Sequence, residues 1–227
     1  MTTDWSQHCG SIKFDQREWV WPKIDRKLKE VNSWADDLYI VFGIMSERGR
    51  ENQTVIQAGG ACGIWPAMLA EVFDWVITYE PDPLNFYCLE QNTKEYFCIT
   101  SVNGALGETP GTVRTKLHPS EMFNVGAYYT MDACDGVPRV RIDDIADLES
   151  LDLLCLDIEG RELEALKGAY KSINKWQPFI MIEEKQLPQM GSDVKHKPGE
   201  ATKWLIEKHG YKVVSRVHRD VILAPTA

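Results

Sequence analysis

The chain has 227 residues, 44% of them hydrophobic and 26% charged, which is room for one well-packed α/β domain and too little for two. Its formal net charge of −9 argues against a broad phosphate-binding face for nucleic acid or anionic membrane, because such a face needs clustered Lys and Arg. No apolar run reaches the length of a bilayer span, and the first ten residues lack the basic start and apolar core of a signal peptide, so a cytoplasmic protein is expected.

Residues 1–50 carry four of the eight tryptophans, Trp5, Trp19, Trp21 and Trp34. Pro22 suits the first turn of a helix, and Ile24, Leu28, Val31, Trp34 and Leu38 recur at spacings of three and four, which predicts an amphipathic helix. A second apolar run covers 38–45. The expectation is an N-terminal helical extension packed on a core domain of residues 51–227, its aromatic residues either filling that contact or walling a substrate pocket or dimer contact. The six cysteines are scattered, with no C-x-x-C pair or Cys/His cluster, which predicts reduced thiols and no structural zinc.

Residues 54–82, TVIQAGGACGIWPAMLAEVFDWVITYEPD, read as strand, glycine turn, helix, strand and acid. Gly59, Gly60 and Gly63 stand where the chain must turn sharply and admit a ligand to the backbone. Pro66 suits the start of the helix, Met68, Leu69, Val72 and Phe73 stripe it, and residues 76–79 return to strand composition. Glu80 follows Gly59 by 80 − 59 = 21 residues, the interval at which a βαβ unit places a carboxylate on ribose hydroxyls. No register of the turn supplies G-x-G-x-x-G, so a nucleoside cofactor without a pyrophosphate is favoured.

Beyond Glu80, Asp82 opens a helix whose buried side carries Leu84, Tyr87, Cys88 and Leu89, and residues 97–102 form a strand. Asn103 and Gly104 signal a turn, and 111–117 is extended. Residues 118–138 have no clean period and are rich in Gly, Pro, Asn and aromatic residues, the mark of a substrate lid or an irregular β insertion. Residues 153–156 are a continuous apolar run, as in a central parallel strand covered on both faces, and end in Asp157 and Glu159. Leu163, Leu166, Tyr170 and Ile173 predict one helix with Gly168 inside it. Residues 178–184 form a further strand ending in Glu183 and Glu184. His196 lies in a polar loop, Ala201, Trp204 and Leu205 stripe a last helix that ends at Gly210, and 211–215 with 220–224 make a terminal strand pair.

Four ordered stretches carry a resemblance: EPDPLNFYCLEQN at 80–92, NGAL at 103–106, VRIDDI at 140–145 and DIEGRELEALKG at 157–168. Together with the glycine turn they resemble FkbM-type methyltransferases, a class I group that uses S-adenosylmethionine. The chain departs from the family's wording at Gln57, where the family usually has Asp, and at Ala61, where it usually has Asn. The resemblance implies a Rossmann-like, doubly wound, seven-stranded, mostly parallel sheet with helices on both faces and an antiparallel C-terminal edge strand. It implies S-adenosylmethionine held by Gln57, Ala58, Gly59, Gly60, Gly63, Glu80, Pro81, Asp82 and Asp157, with Asn103, Gly104 and Ala105 bordering the adenine. The reaction implied is O-methylation of a sugar or other small metabolite, with no compulsory metal.

Methyl transfer needs the methyl donor and a nucleophile held in line, often with removal of a proton. Asp157, Glu159 and Glu183 at neighbouring strand ends are the expected catalytic carboxylates, Asp157 nearest the cofactor, with salt bridges to Arg161 and Lys185 as their structural alternative. His118 and His196, in the two long loops, are further candidates. Two other readings stand: a nucleic-acid or protein acceptor, and a non-catalytic cofactor-binding relative, the latter motivated by Gln57 and Ala61.

Overall fold

The computed structural model describes residues 3–27, 37–184 and 197–226. The chain opens with a hairpin, β1 (Cys9–Phe14) and β2 (Arg17–Pro22), turned by Asp15 and Gln16, both at positive φ, as a two-residue hairpin turn requires. Its alternating Trp19 and Trp21 are buried against Cys62, Ile64 and Cys88. A β-hairpin therefore stands where a helical extension was expected, because the tryptophans follow period two rather than 3.6. The helix expected from Pro22 is not found over 23–27, which are turn and irregular, and its residues 28–36 lie outside the described residues. A helix, α1 (Asp37–Glu47), does cover the second apolar run.

The core follows as β3 (Thr54–Ala58), α2 (Ile64–Leu69), β4 (Trp75–Tyr79), α3 (Pro83–Thr93) and β5 (Ile99–Val102). Then come β6 (Ala105–Leu106), β7 (Gly111–Leu117), β8 (Tyr128–Asp132) and β9 (Val137–Val140), which form a separate four-stranded sheet. The chain re-enters the core with β10 (Leu153–Leu156), α4 (Glu162–Lys167), α5 (Tyr170–Trp176), β11 (Phe179–Glu183), α6 (Glu200–His209), β12 (Tyr211–Val217) and β13 (Asp220–Pro225).

The main sheet has seven strands in the order β12-β13-β11-β10-β3-β4-β5. Strands β11, β10, β3, β4 and β5 are mutually parallel, and β13 runs against both its neighbours. The expected antiparallel C-terminal edge is present: the edge strand β12 pairs antiparallel with β13, and β13 is the strand that runs against β11. The tight turn at His218 and Arg219 makes β12 and β13 antiparallel partners, and the returning strand fills the place beside β11. Strand β10 is covered on both faces: Leu154 and Leu156 pack with Leu166, Ile173 and Leu205, while Leu153 and Cys155 pack with Leu38, Met45 and Leu69. Burying each such leucine contributes roughly 2 kcal/mol, so the central strand anchors the fold.

The helix expected to run through Gly168 is broken there into α4 and α5. A Cβ at Gly168 would lie 2.1 Å from the Gly107 carbonyl oxygen. The Asp143 carboxylate accepts the backbone N–H groups of Lys171 and Ser172 at 3.0 and 2.8 Å, capping a new helix start.

Candidate active site

The order of the sheet reverses between β3 and β10, and an open α/β sheet binds its ligands in the crevice at that reversal. The chain leaves β3 through Gly59, at φ 85°, whose Cβ would lie 1.9 Å from the Asp157 carbonyl oxygen. Only glycine lets the ends of β3 and β10 approach so closely. Gly59 and Gly60 both donate backbone N–H bonds of 3.0 Å to the Tyr79 carbonyl, tying the turn to the end of β4.

Glu80 follows immediately and is 4% exposed. Its Oε2 accepts the Ala61 N–H and its Oε1 the Asp82 N–H, both at 2.7 Å. Behind it, the Asn103 amide donates to the Glu80 carbonyl at 2.9 Å. Burial pushes the Glu80 carboxyl up to about 8, against the pull of those two backbone bonds. Asp82 caps α3, accepting from Leu84 and Asn85 N–H, and takes the Thr115 hydroxyl on its other oxygen. Burial raises its pKa as well.

A cavity of about 460 Å³ opens on these strand ends. Of the residues expected at a cofactor, Ala58, Gly59, Gly60, Glu80, Pro81, Gly104, Ala105 and Asp157 line it. Gln57, Gly63, Asp82 and Asn103 stand behind the lining. Gln57 is fully buried; its amide donates to the Gly59 carbonyl at 2.9 Å and its oxygen accepts the Thr78 hydroxyl. Gly63 starts α2 at φ 94°. These four therefore act on the cavity through the backbone they brace, not by facing it.

The opposite wall comes from β10 and β11. One oxygen each of Asp157, Glu159 and Glu183 lies within 4.8 Å of the others. Glu159 holds a left-handed conformation at φ 57° and Gly160 one at φ 94°. Glu162 fixes that turn: its Oε1 accepts the N–H groups of Ile158 and Gly160 at 3.1 and 3.2 Å, and burial pushes its pKa up to about 7. Such a cluster suits a cationic ligand or a hard cation and on its own assigns neither. Glu183 pairs with Arg219 at 3.7 Å. Arg161 pairs with Glu164 at 3.0 Å and donates to the Thr130 carbonyl at 3.1 Å, so it ties the start of α4 to the second sheet. Lys185 and His196 lie outside the described residues. His118 packs edge-on to Tyr129 with ring centroids 6.5 Å apart and does not line the cavity.

Further lining comes from the 118–138 insertion and from the N-terminal tryptophan Trp21, both of which the sequence had placed at a substrate pocket as one of their readings, and from two residues with no expectation attached, Asp37 and His218. Tyr128 and Val125 come from the 118–138 insertion, which Asn85 ties down through a 2.8 Å bond to the Val125 carbonyl. Trp21, from the hairpin, donates its indole N–H to Asp25 at 2.7 Å and stands in the wall. Asp37 and His218, 181 residues apart, also line the cavity and bond to each other. Glu162 was visible inside the DIEGRE stretch; the Asp37–His218 contact leaves no local mark in the sequence.

Residues 70–213 match the family model for the methyltransferase FkbM domain, 144 of the 227 residues. The chain belongs to the FkbM methyltransferase family. The matched span starts downstream of the glycine turn and includes Glu80, Asp157 and Glu183. Among solved structures, the chain is similar to an FkbM methyltransferase from Methylobacillus flagellatus, with 21% identity and a TM-score of 0.50, covering 76% of this chain and 43% of that one. It is also similar to Trm5b from Pyrococcus abyssi, with 14% identity and a TM-score of 0.50, covering 96% and 54%. These are likenesses of fold, and the chain spans about half the length of each. No curated protein matches the chain. Among the described residues, no helix is long and apolar enough to cross a membrane.

The two departures from the FkbM wording acquire physical content here. Ala61 sits at φ 43°, in the left-handed region that Asn enters at lower cost than Ala. Gln57 fills its buried site with an amide that both donates and accepts, which an Asp carboxylate cannot do.

Proposed function

We propose that the protein transfers a methyl group from S-adenosylmethionine to a hydroxyl of a sugar or other small metabolite. The observation that carries this reading is Glu80: a buried carboxylate at the end of β4, its oxygens steered by two backbone N–H bonds, on the cavity that also takes in the bare glycine turn. A carboxylate there suits a ribose diol, and the turn lacks the G-x-G-x-x-G spacing that seats a pyrophosphate. The cavity's volume is in the range that small ligands occupy. The anionic cluster of Asp157, Glu159 and Glu183 suits a ligand that carries positive charge on sulfur and nitrogen.

In this reading Glu80 accepts the ribose hydroxyls, Gly59 and Gly60 let the backbone approach the nucleoside, and Gly104 and Ala105 border the adenine. Asp157 faces the cationic end, and Glu159 and Glu183 face the acceptor. The cofactor supplies an electrophilic methyl group. The chain's own part is to exclude water, hold the acceptor oxygen in line and accept its proton. Arg161 and Arg219, on the cavity wall, are both engaged by carboxylates, which favours a small neutral acceptor over a nucleic-acid track. A reducing cytoplasmic setting completes the reading, because six cysteines are free, Cys9 and Cys88 with their sulfurs 3.3 Å apart.

Calorimetry with S-adenosylmethionine tests the cofactor, and transfer of a labelled methyl group to a panel of methyl pyranosides tests the acceptor. Binding at micromolar ligand and label on at least one sugar are expected; no heat at high micromolar ligand would reject the reading.

A further inference from the structure

We infer that His218, oriented by Asp37, is the general base that takes the proton from the acceptor hydroxyl; the inference rests on the methyl-transfer reading above. Asp37 is the first residue of α1 and is 2% exposed. Both its oxygens reach Nδ1 of His218, at 2.8 and 3.1 Å. A carboxylate oxygen accepts, so Nδ1 is the donating nitrogen of the contact. Nδ1 therefore carries the hydrogen, and Nε2 is the bare nitrogen. Its side chain, 62% exposed, projects from the β12–β13 turn at φ 49°. Both residues line the cavity that takes in Asp157 and Glu183.

A tether alone is a poor account of this pair. Burying a carboxylate costs several kcal/mol, whereas an ion pair to an exposed partner typically contributes about 0–1 kcal/mol. A buried acid that fixes the tautomer and direction of an exposed imidazole is the arrangement that makes a histidine a positioned base. The neighbouring charges are paired among themselves: Arg219 with Glu183, and Arg216 with Glu184 at 3.2 Å, while Asp220 stands opposite Glu183 in the β11–β13 ladder. An imidazole is also a stronger base than an ordinary carboxylate near neutral pH, so the acid cluster is left to meet positive charge. In the step, the acceptor's O–H proton passes to Nε2 as the oxygen's electron pair bonds the methyl carbon. The electron pair of the breaking carbon–sulfur bond stays on sulfur.

The full chain, methyl-labelled S-adenosylmethionine and the methyl pyranoside panel supply the test, between about pH 5 and 9. The wild-type rate should climb with pH through the imidazole range. His218→Gln should lose that limb and about 100-fold or more in kcat, with the Kd for S-adenosylhomocysteine unchanged. Asp37→Asn should lower kcat while KM and the Kd for S-adenosylhomocysteine hold, since the imidazole loses the carboxylate that orients it. A His218→Gln protein that keeps the limb overturns the assignment. Nitrogen NMR of the resting protein decides independently of turnover. A hydrogen on Nδ1 with Nε2 bare and shifted on adding S-adenosylhomocysteine supports the base; an Nε2 that carries hydrogen, or is unmoved, sinks it. Failure of the wild type to bind S-adenosylhomocysteine would instead defeat the methyltransferase reading, and this inference with it.

Discussion

The Ala61 backbone N–H donates a 2.7 Å hydrogen bond to the Glu80 carboxylate, joining the glycine turn after β3 to the acid at the end of β4. With the Asp82 N–H on the other oxygen, the carboxylate is fixed by the two segments between which it lies. Its position is therefore set before any ligand arrives, which is what preorganised recognition of a diol needs.

Removing that acid should strike binding and stability together. Glu80→Ala deletes charge-assisted bonds to the ligand, worth about 1.5–3 kcal/mol together with the orphaned partners, and takes the acceptor from the part-buried Ala61 N–H and the buried Asp82 N–H. S-adenosylmethionine affinity is expected to fall roughly 10- to 100-fold or further, and the urea midpoint should drop as well. Calorimetry and chemical denaturation measure the two effects separately, and unchanged affinity would mean the nucleoside lies elsewhere.

The same carboxyl makes a statement about pH. Glu80 and Glu162 are raised from 4.5 to about 8 and about 7, burial being the main cause for both. A raised carboxyl means that the folded protein holds protons the unfolded chain has released. Stability from these two groups is thus fully present below pH 4.5 and is lost as pH rises through about 7 and 8. Denaturation midpoints should decline over that window, and Glu80→Gln should flatten the decline. Diol donors favour the ionised form, so binding of S-adenosylhomocysteine near pH 7 should release close to one proton from the wild type and none from Glu80→Gln. Calorimetry in buffers of different ionisation enthalpy counts it.

Much of this site was legible in the sequence because its parts are local. A strand, a glycine turn, a helix and an acid 21 residues on are short-range features, and so is the Asp157–Glu159 end of an apolar strand. What was not legible is long-range or backbone-driven. Trp19 and Trp21 belong to a hairpin that packs on α3 through Asn92, which bonds the Val20 N–H and carbonyl at 2.7 and 2.9 Å. The break at Gly168 depends on Gly107 and Asp143, sixty-one and twenty-five residues earlier. Gln57 looked like a cofactor contact because of where it falls in the motif, yet in a parallel strand side chains alternate faces and its neighbour Ala58 takes the cavity side.

Ala61 offers a gain rather than a loss. At φ 43° an alanine carries a left-handed penalty of roughly 1 kcal/mol, which Asn reduces. Ala61→Asn should raise the melting temperature by about 1–2 °C, as about 0.5 kcal/mol does in a domain of this size. The backbone N–H to Glu80 is retained, so the affinity for S-adenosylmethionine should hold or improve. A melting temperature that falls would show that the left-handed conformation is not adopted in solution.

Gln57 is where an active family member and a weakened relative would be thought to differ, and its geometry argues otherwise. The side chain is fully buried, and both its polar ends are taken by the Gly59 carbonyl and the Thr78 hydroxyl. Gln57→Asp, which restores the residue usual in the family, removes the donor to Gly59 and places a charge in a fully buried site. An unpaired buried polar group costs about 1–3 kcal/mol, more when charged. The variant should therefore unfold at lower denaturant than the wild type and bind S-adenosylmethionine no more tightly. If it binds more tightly at equal stability, position 57 reaches the cofactor after all, and the bracing role assigned to it is wrong.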